Sequence, residues 1–523
     1  MKSILLWAMM FLCIACNPAA QKPLSEVQLD SGKISGIYNP KTHVYAFKGI
    51  PYAKPPVGDL RWRASQPVTP WKGIRKCTMF GASAIQPAPG PFSMWTSEFI
   101  APASPLSENC LYLNVWTAAQ SNKEKRPVIV FIHGGAFRGG SGSVPLYNGT
   151  AMAEKGVVFV TINYRLGIFG FFALPELTAE SKHHSSGNYG FLDQIAALKW
   201  VKKNIAAFGG DPNNVTIAGQ SAGAWSVCTL VASPLAKGLF EKAIAESGAL
   251  ILPTSFIGQP ISLADAEKAG EKVAKSFGVS SIAALREIPA EKLLHANMAP
   301  HPVIDGYVIP EDLFDIFSKG RQNDVPLILG WNEDEMNRLG ALPDYKTYMQ
   351  NVKSVYGKST KAFLKYFPAH NDSTAHASEL EYKPLLDFGV QMFEWMNLQD
   401  KTGKSDVYFY HFTRDVPFGK GQNNYGAFHS GELGYAYHNL DASKVRPWTA
   451  SDYQLENVMS SYWVNFSKTG NPNDQGLPEW MPCKPDAYKT MILGKTWQME
   501  TLPHLKALEF LRDFFVKEQK EEK

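Results

Sequence analysis

Beyond Ala15 the chain has no apolar run near the ~18 residues that a membrane-spanning helix needs. Cysteine is scarce, with 6 among 523 residues, and none has the spacing of a zinc site, so no metal is expected. Charge of one sign is also lacking. The 52 Lys and Arg face 48 Asp and Glu, and the formal balance of +4 is spread without a basic block, which speaks against a nucleic-acid partner. There is no internal repeat and no low-complexity linker. What remains is ordinary globular composition, 45% hydrophobic and 19% charged, in a chain long enough to bury a large core without disulfides.

The first residues read as a targeting signal. Lys2 supplies a positive start, and Ile4 to Ala15 is an apolar run too short to span a bilayer. Cys16 follows Ile14-Ala15, as in a bacterial lipobox, which would make it the acylated first residue of the mature chain; ordinary cleavage near Ala20 is the alternative. Residues 1–21 are therefore read as a signal and 22–523 as one domain. The expected location is the periplasm or a lipid anchor in the membrane, otherwise the medium. One acyl chain is the only membrane attachment expected. No feature of the sequence reports on oligomeric state.

After the Pro-rich stretch Pro87–Pro105, read as a surface loop, buried strands alternate with helices. Pro127–Ile132, Val157–Asn163 and Val215–Ala218 are short, β-rich apolar runs, the pattern of strands covered on both faces. Val325–Leu329 and Val407–His411 read as later strands. Gly190–Phe208 reads as a helix, with Leu192, Ile195, Leu198, Val201 and Ile205 on one stripe and Gly209-Gly210 ending it. Helical patterns recur near Asp265–Phe277, Ser451–Lys468 and Pro503–Lys517. The alternation predicts an α/β fold, a large, mostly parallel sheet flanked by helices.

Gly219-Gln220-Ser221-Ala222-Gly223 stands between the strand Val215–Ala218 and a helical pattern over Ala222–Val231. A strand, this tight turn and a helix together form the setting of a nucleophile elbow, in which the serine is pushed above the sheet at a helix N-terminus. His133-Gly134-Gly135-Ala136-Phe137 follows another strand and exposes backbone N–H groups. With Ala222, the N–H groups of Gly135 and Ala136 are candidate donors to an oxyanion. His133 reads as structural. A serine hydroxyl needs a base, and the base an acid, which for this chain order lie downstream as acid and then histidine. The residues alone leave Glu333, Asp334 and Glu335 open, and likewise His411, His429 and His438.

At this point the chain resembles the type-B carboxylesterases, which include the cholinesterases. The resemblance rests on Phe47–Arg63, Ser107–Trp116, His133–Phe137, Asn163–Pro175, Gly187–Gln194, Ala206–Gly223 and Ala243–Gly248. It implies an α/β-hydrolase fold with an active-site gorge at the strand C-terminal ends, and a serine hydrolase that cleaves small-molecule carboxylic esters through an acyl-enzyme without a cofactor. It implies Ser221 as nucleophile, Glu335 as acid and His429 as base. Arg61 with Glu108 and Arg165 with Asp193 match the family's internal salt bridges, Ser247 a serine near the acid, and Glu432 an architectural carboxylate. Gln220 stands beside the nucleophile where cholinesterases carry Glu, which weakens the case for choline esters. A disulfide onto Cys110 is also implied, with Cys77 substituting for the family's usual partner from near Ala84. Trp95 loosely matches a cholinesterase tryptophan, but reads more safely as an exposed loop residue. The rival readings are a catalytically silent adhesion-like binding protein, and an amidase or a lipase on the same fold.

Overall fold

The apolar runs become the inner strands of an 11-stranded sheet, in a computed structural model that describes residues 24–254, 259–336, 338–419, 421 and 423–521. The segment read as a targeting signal, Cys16 included, lies outside the described residues. In chain order the strands are β1 (Ile37–Asn39), β2 (Val44–Pro51), β3 (Tyr112–Thr117), β4 (Arg126–Ile132), β5 (Val158–Ile162), β6 (Gly210–Gln220), β7 (Lys242–Glu246), β8 (Leu327–Asn332), β9 (Val407–Phe412), β10 (Lys489–Leu493) and β11 (Trp497–Thr501). Across the sheet they run 11-10-9-8-7-6-4-5-3-2-1. From β10 through β5 every pair is parallel, and antiparallel strands close both edges.

Both faces of the parallel part are covered. Along β4, Val128, Val130 and Ile132 join one core cluster, while Ile129 and Phe131 join the other. Along β8, Leu327, Leu329 and Trp331 face the first and Ile328 the second. This is why the strands read as continuous apolar runs: alternate side chains enter different cores, and neither face meets water. Labelled helices are α1 (Tyr189–Asn204), α2 (Ala222–Ala232), α3 (Leu263–Ser276), α4 (Val390–Thr402), α5 (Ala450–Thr469) and α6 (Leu505–Glu521). After α1 a single 3₁₀ turn, Ile205–Phe208, ends at Gly209 with φ +81°, the left-handed cap that glycine adopts without strain.

Strand boundaries moved where tertiary pairing outweighs local composition. β8 runs on through Gly330-Trp331-Asn332, paired with Tyr410, His411 and Phe412 of β9, so the acid segment starts later than its apolar run suggests. The reading of Pro87–Pro105 as a surface loop is corrected at its centre. Met94 and Glu98 are buried there, beneath a guanidinium from the far end of the chain.

The two implied salt bridges form. Arg165 clamps Asp193 through Nε at 2.8 Å and Nη2 at 2.7 Å, both side chains buried, and Arg61 reaches Glu108 at 2.6 Å. The implied disulfide does not. Cys77 and Cys110 are free, buried thiols with separate surroundings. Cys77 lies at a sheet edge, its backbone bonded to Ser35 and Lys48, and burial pushes its thiol up to about 11. Cys110 is enclosed near Asp193 and Arg165, and burial raises its thiol further.

Candidate active site

The parallel strands bring their C-terminal ends to one edge of the sheet, where loops carry chemistry in this architecture. β6 ends at Gln220, α2 begins at Ala222, and Ser221 between them has φ +58° and ψ −125°. That conformation is strained for a non-glycine residue. The flanking glycines are steric necessities. A Cβ on Gly219 would collide with the Gly223 carbonyl, and one on Gly223 would collide with the carbonyl oxygen of Ile132. Ser221 N–H donates to Glu246 O at 2.9 Å, fastening the turn to β7. The serine is half-buried.

The loop after β4 packs on this elbow. A Cβ on Gly134 would meet the Gln220 carbonyl oxygen at 2.6 Å and Ser221 Cβ at 3.0 Å. Gly135 has φ +108° and Ala136 φ +52°, which turns the peptide plane outward. Among the described residues no acceptor within the protein takes the N–H of Gly135, Ala136 or Ala222. His133 is structural as read: it is buried, stacked on Tyr164 at 4.5 Å, with Nδ1 at 2.8 Å from Gly134 O, and burial pushes it down to about 4.

Geometry separates the carboxylates and histidines that sequence left open. His429 Nδ1 lies 2.6 Å from Glu335 Oε2, both side chains buried. Asn332 N–H donates to the other oxygen of Glu335 at 2.8 Å, and His429 N–H to the Glu335 carbonyl at 2.9 Å. Asp334 instead accepts from Ala427 N–H at 2.8 Å and pairs with Arg338 at 2.8 Å, holding the segment that leads into His429. Glu333 approaches His411, 3.2 Å away, but burial pushes His411 down to about 3 and keeps it neutral. His438 lies apart, against Ser460.

His429 Nε2 lies 3.2 Å from the side-chain nitrogen of Gln220. Among the described residues no hydrogen bond joins the imidazole to Ser221 Oγ; the Gln220 amide nitrogen, also 3.5 Å from Nδ1, lies over the ring. Ser247 was expected beside the acid. Its N–H donates to Gly330 O at 2.9 Å, while its buried hydroxyl has no hydrogen-bond partner, so it makes no bond to Glu335.

Phe388, which sequence reasoning missed, and Trp95 bound the imidazole side. Phe388 lies 4.8 Å from His429, on a π-helical turn, Leu385–Gly389, a distortion frequent at functional sites. Trp95 meets His429 edge-on at 6.3 Å, and Phe92, 62% exposed, packs on Trp95 at 4.8 Å. Trp95 is thus half-buried against the site, which corrects its reading as an exposed loop residue.

Behind the site lie two further carboxyls. Glu246 accepts from Tyr437 OH at 2.9 Å and Trp463 Nε1 at 3.0 Å; Glu432 accepts from the Asn332 amide. Both are fully buried, and among the described residues neither pairs with a cation. Burial raises both, Glu246 well above the usual carboxylate range and Glu432 to about 7. An acid whose folded value exceeds its unfolded one holds its proton better in the fold, so the contribution of Glu432 to stability is greatest at low pH and falls as pH rises from about 4.5 through about 7. The urea midpoint is expected to drop less across this window in Glu432→Gln than in the unsubstituted protein. Equal slopes would show that Glu432 is not the group.

The family model described as "Carboxylesterase family" matches residues 23–511. The chain belongs to the carboxylesterase family. It is accordingly a carboxylic-ester hydrolase on an α/β-hydrolase fold. It is 36% identical to a fumonisin B1 esterase from Sphingopyxis macrogoltabida, covering 92% of this chain and 88% of that one. It is 33% identical to a para-nitrobenzyl esterase from Bacillus subtilis (strain 168), with 90% and 95% covered. A solved carboxylesterase of Geobacillus stearothermophilus superposes with a TM-score of 0.79 at 32% identity, covering 94% of this carboxylesterase and all of the other.

Proposed function

We propose that this carboxylesterase cleaves its esters by two acyl transfers, with Ser221 as nucleophile, His429 as base and Glu335 orienting the imidazole. The observation that carries the reading is the 2.6 Å contact between His429 Nδ1 and Glu335, with the opposite ring nitrogen 3.2 Å from the residue that adjoins Ser221. Glu335 fixes the tautomer in which Nδ1 bears the proton and Nε2 has its lone pair free. The Gln220 amide nitrogen, 3.2 Å from Nε2 and 3.5 Å from Nδ1, lies over the ring and leaves that in-plane lone pair uncapped. For reaction Ser221 Oγ–H turns to that lone pair, since catalytic hydrogen bonds often tighten only when substrate is bound.

Oγ then attacks the ester carbonyl as its proton passes to Nε2. The oxyanion that forms is met by the N–H groups of Gly135, Ala136 and Ala222, which among the described residues have no competing acceptor. His429 protonates the departing alkoxide, leaving an acyl group on Ser221. It next takes a proton from water, which attacks the acyl carbon, and returns that proton to Oγ as the acid leaves. Glu335 stabilises the imidazolium in both halves and stays ionised.

The names of two relatives, a fumonisin B1 esterase and a para-nitrobenzyl esterase, support a small-molecule ester as substrate. The aromatic walls Trp95 and Phe388 support an apolar group beside the imidazole. The targeting signal read at Lys2–Ala15, with Cys16 after it, supports export, as a lipid-anchored or a free protein.

An organofluorophosphonate probe tests the reading, because it reacts only with an activated serine. One equivalent is expected to attach, and peptide mapping is expected to find it on Ser221. A folded protein that takes up no probe, or takes it up elsewhere, would overturn the assignment and favour a silent binding protein.

A further inference from the structure

We infer that Arg446 is a positioning residue of this active site, setting the Trp95 wall and one flank of the imidazole from the opposite end of the chain. Arg446 lies in the connection between the 3₁₀ turn Leu440–Ala442 and α5. Its side chain is 2% exposed and pairs with Glu98, also 2% exposed, through Nε at 2.7 Å. The remaining donors reach backbone and hydroxyl oxygens. Nη2 donates to Met94 O at 3.1 Å and to Thr96 Oγ1 at 2.9 Å, and Nη1 to Pro417 O at 3.3 Å. Thr96 Oγ1 in turn donates to Glu98 Oε1 at 2.7 Å.

Met94 and Thr96 are the two residues that flank Trp95. The guanidinium therefore grips the chain on both sides of the ring that meets His429 edge-on. Its flat face lies among Phe418, Phe428 and Phe99, with centroids at 4.3, 5.2 and 5.7 Å. Phe428 is the residue before His429. A planar fork with fixed donor directions, stacked on rings, suits this task, whereas an ammonium is a point charge on a flexible stem. One side chain thus spaces the Trp95 loop against the segment that delivers the imidazole. Trp95 Nε1 completes the link from the other side, 3.4 Å from Ser430 Oγ.

A buried ion pair with a structural role alone affects stability and leaves substrate recognition untouched. Two variants separate that from positioning. Arg446→Lys keeps the charge and removes the fork; Thr96→Val keeps the shape and removes one hydroxyl. The inference rests on the reaction proposed above, so each variant is first titrated with the fluorophosphonate probe. Loss of labelling in the unsubstituted protein would count against the reaction and not against Arg446.

With p-nitrophenyl esters, KM is expected to rise about fivefold in Arg446→Lys and about twofold in Thr96→Val, with kcat within about twofold of the parent. Both rises are expected to vanish when the substitution is made on a Trp95→Ala background, because residues acting through one contact are not additive. An unchanged KM in folded Thr96→Val, or rises that persist in full without the Trp95 ring, would overturn the inference. Should Arg446→Lys not fold, Thr96→Val alone decides.

Discussion

In Ser221→Ala, turnover of p-nitrophenyl acetate is expected to fall by on the order of 10⁵–10⁶-fold, while the thermal unfolding midpoint stays close to that of the parent. The size follows from the mechanism. Without Oγ there is no acyl-enzyme, and only the oxyanion donors and substrate binding remain to accelerate attack by water. The small effect on stability follows from the structure. Ser221 is half-buried, its hydroxyl makes no hydrogen bond among the described residues, and its backbone conformation is imposed by β6, α2 and the bond to Glu246. A variant that keeps more than a few per cent of the parent rate would mean that another group attacks the ester.

Glu335→Gln is expected to cost about 10³–10⁴-fold in kcat, with KM far less affected. The carboxylate sits 2.6 Å from His429 Nδ1 and accepts from Asn332 N–H through its other oxygen. A carboxamide fills the same space, but it can direct its NH₂ at Nδ1. The imidazole would then carry its proton on Nε2, the nitrogen that has to accept from Ser221. Labelling by the fluorophosphonate is expected to slow in parallel. Normal turnover in this variant would remove Glu335 from the reaction and return attention to Asp334 and Glu333.

Some of this site can be read from the chain because its causes are local. Gly219 and Gly223 flank Ser221 since any side chain there meets backbone, so the steric requirement is written as a short motif between a strand and a helix. Gly135 before Ala136 announces a loop of unusual dihedrals in the same way. His429 and Glu335 are 94 positions apart, and their meeting depends on the register of β8 against β9. Composition had no access to that, and only the family resemblance chose them.

Trp95 carried only a loose family match, and Arg446 no local signature. The contact from Arg446 to the residues around Trp95 spans about 350 positions, so Pro87–Pro105 read as a loose surface stretch. The implied Cys77–Cys110 bond failed for a related reason. A sequence offset of a few residues at a sheet edge decides which thiols can face each other, and here each is packed by its own neighbours.

The clamp at Arg446 has a consequence for the order of assembly. The elbow is built from the middle of the chain, its aromatic wall from the first fifth and the residue that holds that wall from the last. Contacts of such high sequence separation form late, after much loop-closure entropy has been overcome. A chain still emerging from the ribosome can complete β4 to β7 before residue 446 exists. A C-terminally truncated chain therefore carries a serine elbow whose Trp95 wall has lost the residue that holds it.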